Sequence, residues 1–316
     1  MSRFVVTGAA GFIGSNLAFK LSDLGHDLVL VDDFENGALS KKLFSIPATE
    51  VINHYNFLDW LNNNKDIDGV FHLGACSNTQ EWNGNFLLKN NFEFTKSLFH
   101  KCQNNEIRLV YASSAAVYGL GLNGFAEIPQ CEEPINFYAY SKLLFDNYLR
   151  NQLHKEQSNV VGLRYFNVYG KYEDHKENMA SPVHKFTVDA LSKGTISVFS
   201  DTPTHKKENH LRDFISVDDC VDLNLYMMFN PRISGIFNCG TGRVHSFIQV
   251  ANLIKKCLEE HSVMVKIQEI PMPDQLTDSY QYYTKADTER VRSAGWEREF
   301  ISLEQGIKEF VEYKIS

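Results

Sequence analysis

The sequence carries near its start the stretch RFVVTGAAGFIG, residues 3–14. An apolar run is followed by Gly8, Gly11 and Gly14, and then by a segment that is apolar along one side as far as Leu24. This pattern predicts a buried strand, a tight turn and a helix. Glycines there allow the turn, let the backbone approach a pyrophosphate and let the helix pack closely on the strand. The stretch therefore predicts a phosphate-binding loop at a helix N-terminus.

An acidic pair ends the next apolar run. Residues 28–31 predict a second strand, and Asp32 follows it. An acid about 20 residues beyond such a loop usually bonds the adenosine ribose. The adjacent Asp33 would repel a 2′-phosphate, which favours NAD over NADP, although Lys41 or Lys42 could supply a compensating cation.

Apolar runs and helical stretches continue to alternate through the first half of the chain. Further strands are predicted at 69–73, 108–112 and 160–164, with helices at 86–102 and 138–153. Such alternation predicts β-α-β units, and strands that are apolar throughout indicate a sheet covered on both faces. The predicted fold is α/β, a Rossmann-type doubly wound parallel sheet.

The second half of the chain is more polar and less regular. Residues 214–217 and 235–238 are predicted to return to the sheet, whereas 263–270 and a last helix at 303–313 belong to a smaller lobe. We therefore expect a dinucleotide-binding domain at 1–167 plus about 214–240. A discontinuous C-terminal substrate lobe would comprise 168–213 and 241–316.

Composition excludes several classes of function. The 31 Lys and Arg against 39 Asp and Glu give a net charge of −8, which disfavours nucleic acid and anionic membranes as partners. No apolar stretch approaches the ~20 residues that span a bilayer. The six cysteines are scattered without the spacing of a zinc site, so no metal site is expected. Scattered cysteines in a chain of this length are typical of a reducing compartment, so a cytoplasmic location is expected.

A tyrosine and a lysine stand four residues apart in a predicted helix. Tyr138 and Lys142 would share a face. Lowering the pKa of a phenol from ~10 to ~7 requires roughly 4 kcal/mol of stabilisation of the phenolate. One lysine ammonium at ~5 Å could supply about 3 kcal/mol of this, and the positive ring of an oxidised nicotinamide could supply the rest. Ser114 ends the preceding strand, where its hydroxyl could bond the substrate oxygen that Tyr138 would deprotonate. The alternative is a solvent-facing tyrosine beside a chance lysine.

The chain resembles the extended short-chain dehydrogenase/reductases of the NAD-dependent epimerase/dehydratase type over nearly its whole length. The residues that carry the resemblance are the glycine loop, the Tyr138/Lys142 pair, and the segments 74–77, 114–119, 164–170, 175–176, 212–214 and 237–242. The resemblance implies an epimerase of a nucleotide-activated sugar, most closely one that inverts C6 of an ADP-heptose for lipopolysaccharide core biosynthesis. It implies one tightly bound NADP per subunit, with NAD as the alternative, and a homo-oligomer for which five subunits is a candidate number.

The resemblance also implies residue roles. Tyr138 and Lys176 would be the acid/base pair, assisted by Ser114 and Lys142. The other dinucleotide contacts, besides the three glycines, would be Phe12, Ile13, Asp32, Asp33, Leu73, Gly74, Ala75, Cys76, Ser77, Asn90 and Val168. The contacts to the nucleotide sugar would be Asn167, Asn178, Lys185, Phe199, Ser200, Asp201, Thr202, Arg212 and Tyr280.

Some positions depart from the family pattern, and alternatives stay open. Leu73 replaces a frequent Glu, Asn178 replaces a smaller residue, the loop 202–208 is longer than usual, and His184 competes with Lys185 for one position. Lys176 could instead bind phosphate or lie on the surface, and Arg212 could pair with a neighbouring Asp. The rival functions are a UDP-hexose 4-epimerase or another nucleotide-sugar epimerase or dehydratase, and a non-catalytic dinucleotide-binding scaffold.

Overall fold

The computed structural model describes residues 1–34, 41–153, 159–202, 205–273 and 281–316. The strands are β1 (Arg3–Thr7), β2 (Asp27–Asp32), β3 (Glu50–Asn53), β4 (Gly69–His72), β5 (Arg108–Ser114), β6 (Val160–Tyr165), β7 (Asn167–Tyr169), β8 (Thr195–Phe199), β9 (Leu211–Arg212), β10 (Phe214–Ser216), β11 (Gly235–Cys239), β12 (His245–Ser246) and β13 (Lys266–Ile270). The α-helices are α1 (Phe12–Asp23), α2 (His54–Asn63), α3 (Gly84–Leu87), α4 (Phe94–Asn104), α5 (Phe137–Gln152), α6 (Pro182–Lys193), α7 (Val217–Phe229), α8 (Phe247–Glu260), α9 (Glu289–Ser293) and α10 (Leu303–Ile315).

The predicted α/β fold with a parallel sheet is confirmed. Over the described residues, seven strands form one sheet in the order β11-β6-β5-β4-β1-β2-β3, and the successive pairs from β6 to β3 are parallel. Chain order reverses between β1 and β4, and the carboxyl ends of strands at such a switch point are where α/β sheets bind ligands. Thr7, Asp32, His72 and Ser114 end β1, β2, β4 and β5 at that edge.

The chain divides into two compact units. The first comprises Met1–Val117, Pro134–Tyr165 and Cys220–Phe237, and the second Tyr118–Glu133, Phe166–Asp219 and Asn238–Ser316. The first holds a buried cluster that includes Val5, Val70 and Leu109. The second holds its own cluster, which includes Ile254 and Phe310. The predicted domain boundaries, which assign 118–133 and 214–219 to the first domain, stay a prediction.

Several elements differ from expectation. Phe214–Ser216 does not return to the central sheet, which makes that prediction wrong: this strand pairs with β7, and Phe214 packs in the core of the second unit. The edge strand β3 and helix α2 were not predicted. The helix expected at 86–102 is divided by a π-helical segment, Leu88–Glu93, between α3 and α4.

None of the described helices combines the length and apolar character needed to cross a bilayer.

Candidate active site

The glycine loop folds as the sequence predicts. Gly8 has a φ of 68°, and its carbonyl oxygen accepts a hydrogen bond from Gly11 N at 3.0 Å. A Cβ at Gly8 would lie 2.6 Å from Gly74 N, and a Cβ at Gly14 would overlap the Gly8 carbonyl oxygen. Gly11 begins α1 without a side-chain cap. Glycine is therefore required at positions 8 and 14 because the protein backbone approaches closely there.

Asp32 braces this loop. Its Oδ2 accepts a hydrogen bond from Ala10 N at 2.7 Å, and its Oδ1 accepts one from Asp33 N at 2.9 Å. Burial raises the pKa of the Asp32 carboxyl, partly offset by these two bonds.

A cavity of about 260 Å³ lies beside the loop within the first unit. Among the predicted cofactor residues it is lined by Gly8, Asp32, Asp33, Gly74, Ala75, Cys76 and Asn90. Thr7, His54, His72, Phe86 and Phe94 also line it and were not predicted. A glycine cradle, carboxylates for a ribose and aromatic walls fit the adenosine and diphosphate part of a dinucleotide.

His72 is a structural residue of this cavity. Its Nδ1 lies 2.7 Å from Thr7 Oγ1 and its Nε2 lies 2.9 Å from Thr95 Oγ1. Burial, with a smaller contribution from Lys142, lowers the pKa of His72 to about 3, so the ring is neutral at pH 7. No group of three potential metal ligands among His, Cys, Asp and Glu occurs in the described part of the chain.

Asn91 joins the segment 73–77, which contains five of the predicted dinucleotide contacts and is called the cofactor loop below, to helix α5; this role was not predicted for it. Its Oδ1 accepts from Cys76 N at 2.9 Å, and its Nδ2 donates to the Cys76 carbonyl and to Ser141 Oγ. Ser141 in turn donates to the Tyr138 carbonyl at 2.7 Å. This chain of bonds fixes the cofactor loop relative to Tyr138.

Tyr138 lies in the first turn of α5, which begins there because Asn136 Oδ1 caps Ala139 N at 2.8 Å. The Tyr138 side chain is buried and hydrogen-bonds Ser114. Burial raises the pKa of the Tyr138 phenol, although the bond to Ser114 lowers it in part. The phenolate is therefore not preformed in the ligand-free protein.

Lys142 lies one turn further along α5. Its Nζ donates to the Ala112 carbonyl at 2.9 Å, and burial lowers its pKa to about 8, while Asp146 opposes this effect. Asp146 itself is wholly buried and accepts hydrogen bonds from Tyr111, Ser113 and Arg164. The Asp146 carboxylate is thus held in place near Lys142, where it favours the protonated amine.

In the second unit, Lys176 lies in the segment 170–181. Its Nζ is 3.9 Å from Glu173 Oε2 and its side chain is 24% exposed. Burial lowers the pKa of Lys176, Glu173 raises it and Lys185 lowers it further.

A second cavity, of about 220 Å³, is confined to this unit. Its walls are mostly apolar and include Phe186, Val198, Phe247 and Ile270, and Lys185 and Lys207 contribute amines. Of the two predicted candidates, Lys185 lines the cavity, whereas His184 packs against Phe310. The predicted substrate contact Phe199 also lines this cavity.

The next three predicted contacts bind nearby protein groups. Ser200 N donates to the Ile270 carbonyl, and Thr202 Oγ1 accepts from His205 N. The Asp201 carboxylate accepts from Lys206 Nζ and Lys207 N.

Asn167 and Arg212 lie near Asp213 but have different partners. Asn167 Nδ2 donates to the Asp213 carbonyl, and the Arg212 guanidinium lies 5.6 Å from the centre of the Phe247 ring. The Asp213 carboxylate accepts bonds from Thr241, Gly242 and Ala286.

The remaining predicted residues lie elsewhere. Phe12 and Ile13 are in α1, Leu73 and Ser77 flank the 74–76 loop, and Val168 is in β7 of the second unit. Tyr280, and the side chains of Lys41, Lys42 and Asn178, are outside the described residues.

The comparison with protein families matches residues 4–240 to the model of the NAD dependent epimerase/dehydratase family. The chain belongs to this family. Its members use a nicotinamide dinucleotide, which agrees with the glycine cradle and the cavity.

Three similar proteins place the chain within this family. The ADP-L-glycero-D-manno-heptose-6-epimerase of Brachyspira hyodysenteriae is 44% identical, with 98% of this chain and 96% of that protein aligned. The crystal structure of the Helicobacter pylori enzyme of the same name is 29% identical at a TM-score of 0.83, over 100% of this chain and 96% of that one. A UDP-N-acetylglucosamine 4-epimerase from Methanobrevibacter ruminantium is 25% identical at 0.84, over 99% and 98%.

Proposed function

We propose that this protein interconverts ADP-D-glycero-D-manno-heptose and ADP-L-glycero-D-manno-heptose, in lipopolysaccharide core biosynthesis. The observation that carries the proposal is the 44% identity to an epimerase of that name across nearly the whole chain. The buried Tyr138 and Lys142 and the half-buried Ser114, around the end of β5, are groups that can bind an alcohol and take its proton while a bound dinucleotide accepts the hydride.

The proposed reaction inverts C6 through a ketone. When bound, the nicotinamide dinucleotide supplies a hydride acceptor that also returns the hydride, so none is consumed. Tyr138 Oη would take the proton of the C6 hydroxyl, while Ser114 Oγ bonds the same oxygen. Because burial raises the pKa of Tyr138, its ionisation needs positive charge brought close, which Lys142 and an oxidised nicotinamide ring can provide.

Hydride return to the opposite face calls for a second proton-transfer group. We assign this role to Lys176, because burial lowers the pKa of its amine, so that the amine can lose its proton at a lower pH than an ordinary lysine. The apolar cavity beside Lys185 and Phe199 supports a site for the nucleotide in the second unit, with Arg212 as the diphosphate ligand.

For the cofactor, we propose NADP first, on the family resemblance, with NAD as the alternative that the cavity charge supports. Asp32 and Asp33 both line the cavity, and a 2′-phosphate beside them would be repelled. Affinities measured by fluorescence titration of the cofactor-stripped protein decide the preference. In either case Asp33→Asn is expected to shift it towards NADP by about tenfold, or about 1.4 kcal/mol of lost repulsion. An unchanged preference would place the carboxylate away from the 2′ position.

The alternative function is a UDP-hexose 4-epimerase, which the match to the Methanobrevibacter structure favours. Incubation with either ADP-heptose epimer and, separately, with UDP-galactose, followed by proton NMR, distinguishes the two. Inversion of the heptose is expected. Turnover of UDP-galactose alone supports the alternative, and turnover of neither sugar by protein that binds the dinucleotide supports the non-catalytic scaffold.

The proposed catalytic group is tested by Tyr138→Phe. This variant is expected to lose about 10²- to 10⁴-fold in kcat, the usual contribution of a general acid/base. Tyr140→Phe is the matched control, because Tyr140 lies on the same helix with an exposed side chain. Near-normal turnover by the Tyr138→Phe variant would refute the assignment.

We also propose a homo-oligomer, with five subunits as the number to test, on the ground that oligomers are common in the family. Sedimentation velocity across a range of protein concentrations checks it, and a monomer throughout would contradict it.

A further inference from the structure

The segment that carries Lys176 is held by one buried carboxylate. Glu173 is 0% exposed. Its Oε1 accepts hydrogen bonds from Gly170 N at 3.0 Å and Ser181 Oγ at 2.8 Å, and its Oε2 accepts one from Ser181 N at 2.6 Å. Glu173 therefore joins the two ends of the segment, one on each side of the lysine.

The backbone between these ends is strained. Tyr172 and Glu177 have φ angles of 69° and 44°, a region that non-glycine residues rarely adopt. Such conformations persist only where the surroundings over-determine them, and they cluster at functional sites. The bonds of Glu173 to Gly170 and Ser181 provide that constraint.

The same carboxylate is also close to the lysine amine. Glu173 Oε2 lies 3.9 Å from Lys176 Nζ, and Lys176 N donates to the Glu173 carbonyl at 2.9 Å. Among the described residues, Lys185 and His184, both from α6, also face Lys176. Of these groups, Glu173 is the anion that offsets burial and the neighbouring cation.

We propose that Glu173 is a positioning residue for Lys176: its buried carboxylate fixes the segment 170–181 and holds the lysine amine in place for proton transfer. This inference rests on the proposed function, in which Lys176 is the second proton-transfer group.

Removing the charge should affect Lys176 in a defined direction. Glu173 raises the pKa of Lys176, so Glu173→Gln lowers it. The limb of the pH–activity profile set by Lys176 is expected to move to lower pH by about one unit, and kcat to fall about tenfold, with KM little changed. Asp174→Asn is the matched control, since it removes the same charge from the next residue, whose carboxylate binds Lys314 instead. It should leave the profile unchanged.

A double-mutant cycle separates positioning from bracing. If Glu173 acts through Lys176, Glu173→Gln adds little further loss of kcat in a Lys176→Met background. Additive losses, or a fall in kcat at every pH without movement of the limb, would mean that Glu173 is only a structural brace, and would overturn the inference.

A second readout does not depend on activity. Lysines methylated with ¹³C-formaldehyde give NMR signals that titrate, and the Lys176 signal is assigned by its absence in Lys176→Arg. That signal should titrate at lower pH in Glu173→Gln than in the parent protein, and an unmoved signal overturns the inference. If the parent protein epimerises no sugar, the proposed function fails, while this titration still tests the contact.

Should Glu173→Gln not fold, Glu173→Asp tests the same geometry, because it keeps the charge and shortens the side chain. The expected result is a lower kcat at an unchanged KM with the Lys176 signal displaced. Wild-type kcat and an unmoved signal would refute the positioning role.

Discussion

At the scale of single residues, the acid/base role that we propose for Tyr138 requires more than the protein's own groups. The sequence placed Lys142 on its face of the helix, and both lie in α5. Yet the Lys142 amine donates its hydrogen bond to the Ala112 carbonyl, and the Tyr138 phenol bonds Ser114. Burial has the largest effect on the pKa of the phenol, and it raises it. If Tyr138 is the base, as we propose, its ionisation therefore requires the positive charge that a bound oxidised dinucleotide would bring.

Tyr138 is accordingly expected to ionise above pH 10 in the cofactor-free protein, because burial raises its pKa. The ultraviolet difference spectrum of wild type minus Tyr138→Phe, titrated from pH 7 to 12, isolates its phenolate. Addition of the oxidised dinucleotide should lower the titration midpoint. A phenolate already present at pH 7 without cofactor would contradict this account.

Lys142 should cost stability at neutral pH. Its folded pKa of about 8 lies below the 10.5 of the free side chain, so the unfolded chain binds the proton more tightly. The cost is present in full below pH 8 and fades as pH rises towards 10.5; this difference in pKa corresponds to roughly 3 kcal/mol.

Lys142→Met is therefore expected to be inactive yet to melt at higher temperature than wild type at pH 7. The gain should reach at most roughly 3 kcal/mol, because the Ala112 carbonyl loses its donor, and it should shrink at pH 10. Calorimetry at both pH values checks this. A gain of equal size at both values would show that packing, not charge, is responsible.

At the scale of elements, the glycine loop shows how far backbone geometry can be predicted. We expect Gly14→Ala to weaken dinucleotide binding more than Gly11→Ala. A Cβ at position 14 would overlap the Gly8 carbonyl oxygen, whereas one at position 11 would lie 3.0 Å from it. Titration with the cofactor, with thermal melting to verify folding, measures both variants; equal affinities would exclude close approach as the cause.

Prediction from the sequence succeeded where one local rule dominates. β1, β2, β4, β5 and β6 are apolar runs because parallel strands are buried on both faces, and these strands are confirmed. β3 was not predicted because it is an edge strand whose Val51 is exposed, so it does not form a continuous apolar run in the sequence. Phe214–Ser216 has the composition of a core strand, but which strand it pairs with depends on tertiary packing.

The site could be predicted in part for the same reason. Gly8 and Asp32 follow from motif spacing, Gly74 follows from the family resemblance, and all three line the cavity. The roles of Asn91 and Glu173 did not follow, because each depends on bonds to backbone atoms that spacing does not reveal.

At the scale of the whole molecule, each unit has its own buried cluster, and Asp213 organises part of the second. Asp213→Asn keeps one acceptor oxygen of two, so at least two of the bonds from Thr241, Gly242 and Ala286 should be lost. The expected loss of stability is about 3 kcal/mol. Hydrogen exchange should quicken around 241–242 and 286 while β1 and β5 stay protected.

Asp218→Asn is the control, because Asp218 is exposed; its effect should stay within about 0.5 kcal/mol. Uniformly faster exchange in Asp213→Asn, including β1 and β5, would mean that the aspartate supports the whole chain and not one region.

The π-helical segment Leu88–Glu93 has a consequence for how this chain tolerates changes of length. A π turn accommodates one residue more than a regular turn. Deleting a single residue there would let the π turn relax to a regular α-helical turn, so that the flanking helices keep their orientation while the residues within the segment point in new directions. Asn91 would then face away from the Cys76 backbone although no side chain at the pocket had been altered. A variant with a segment one residue shorter would therefore need another way to hold the Cys76 backbone that Asn91 now binds.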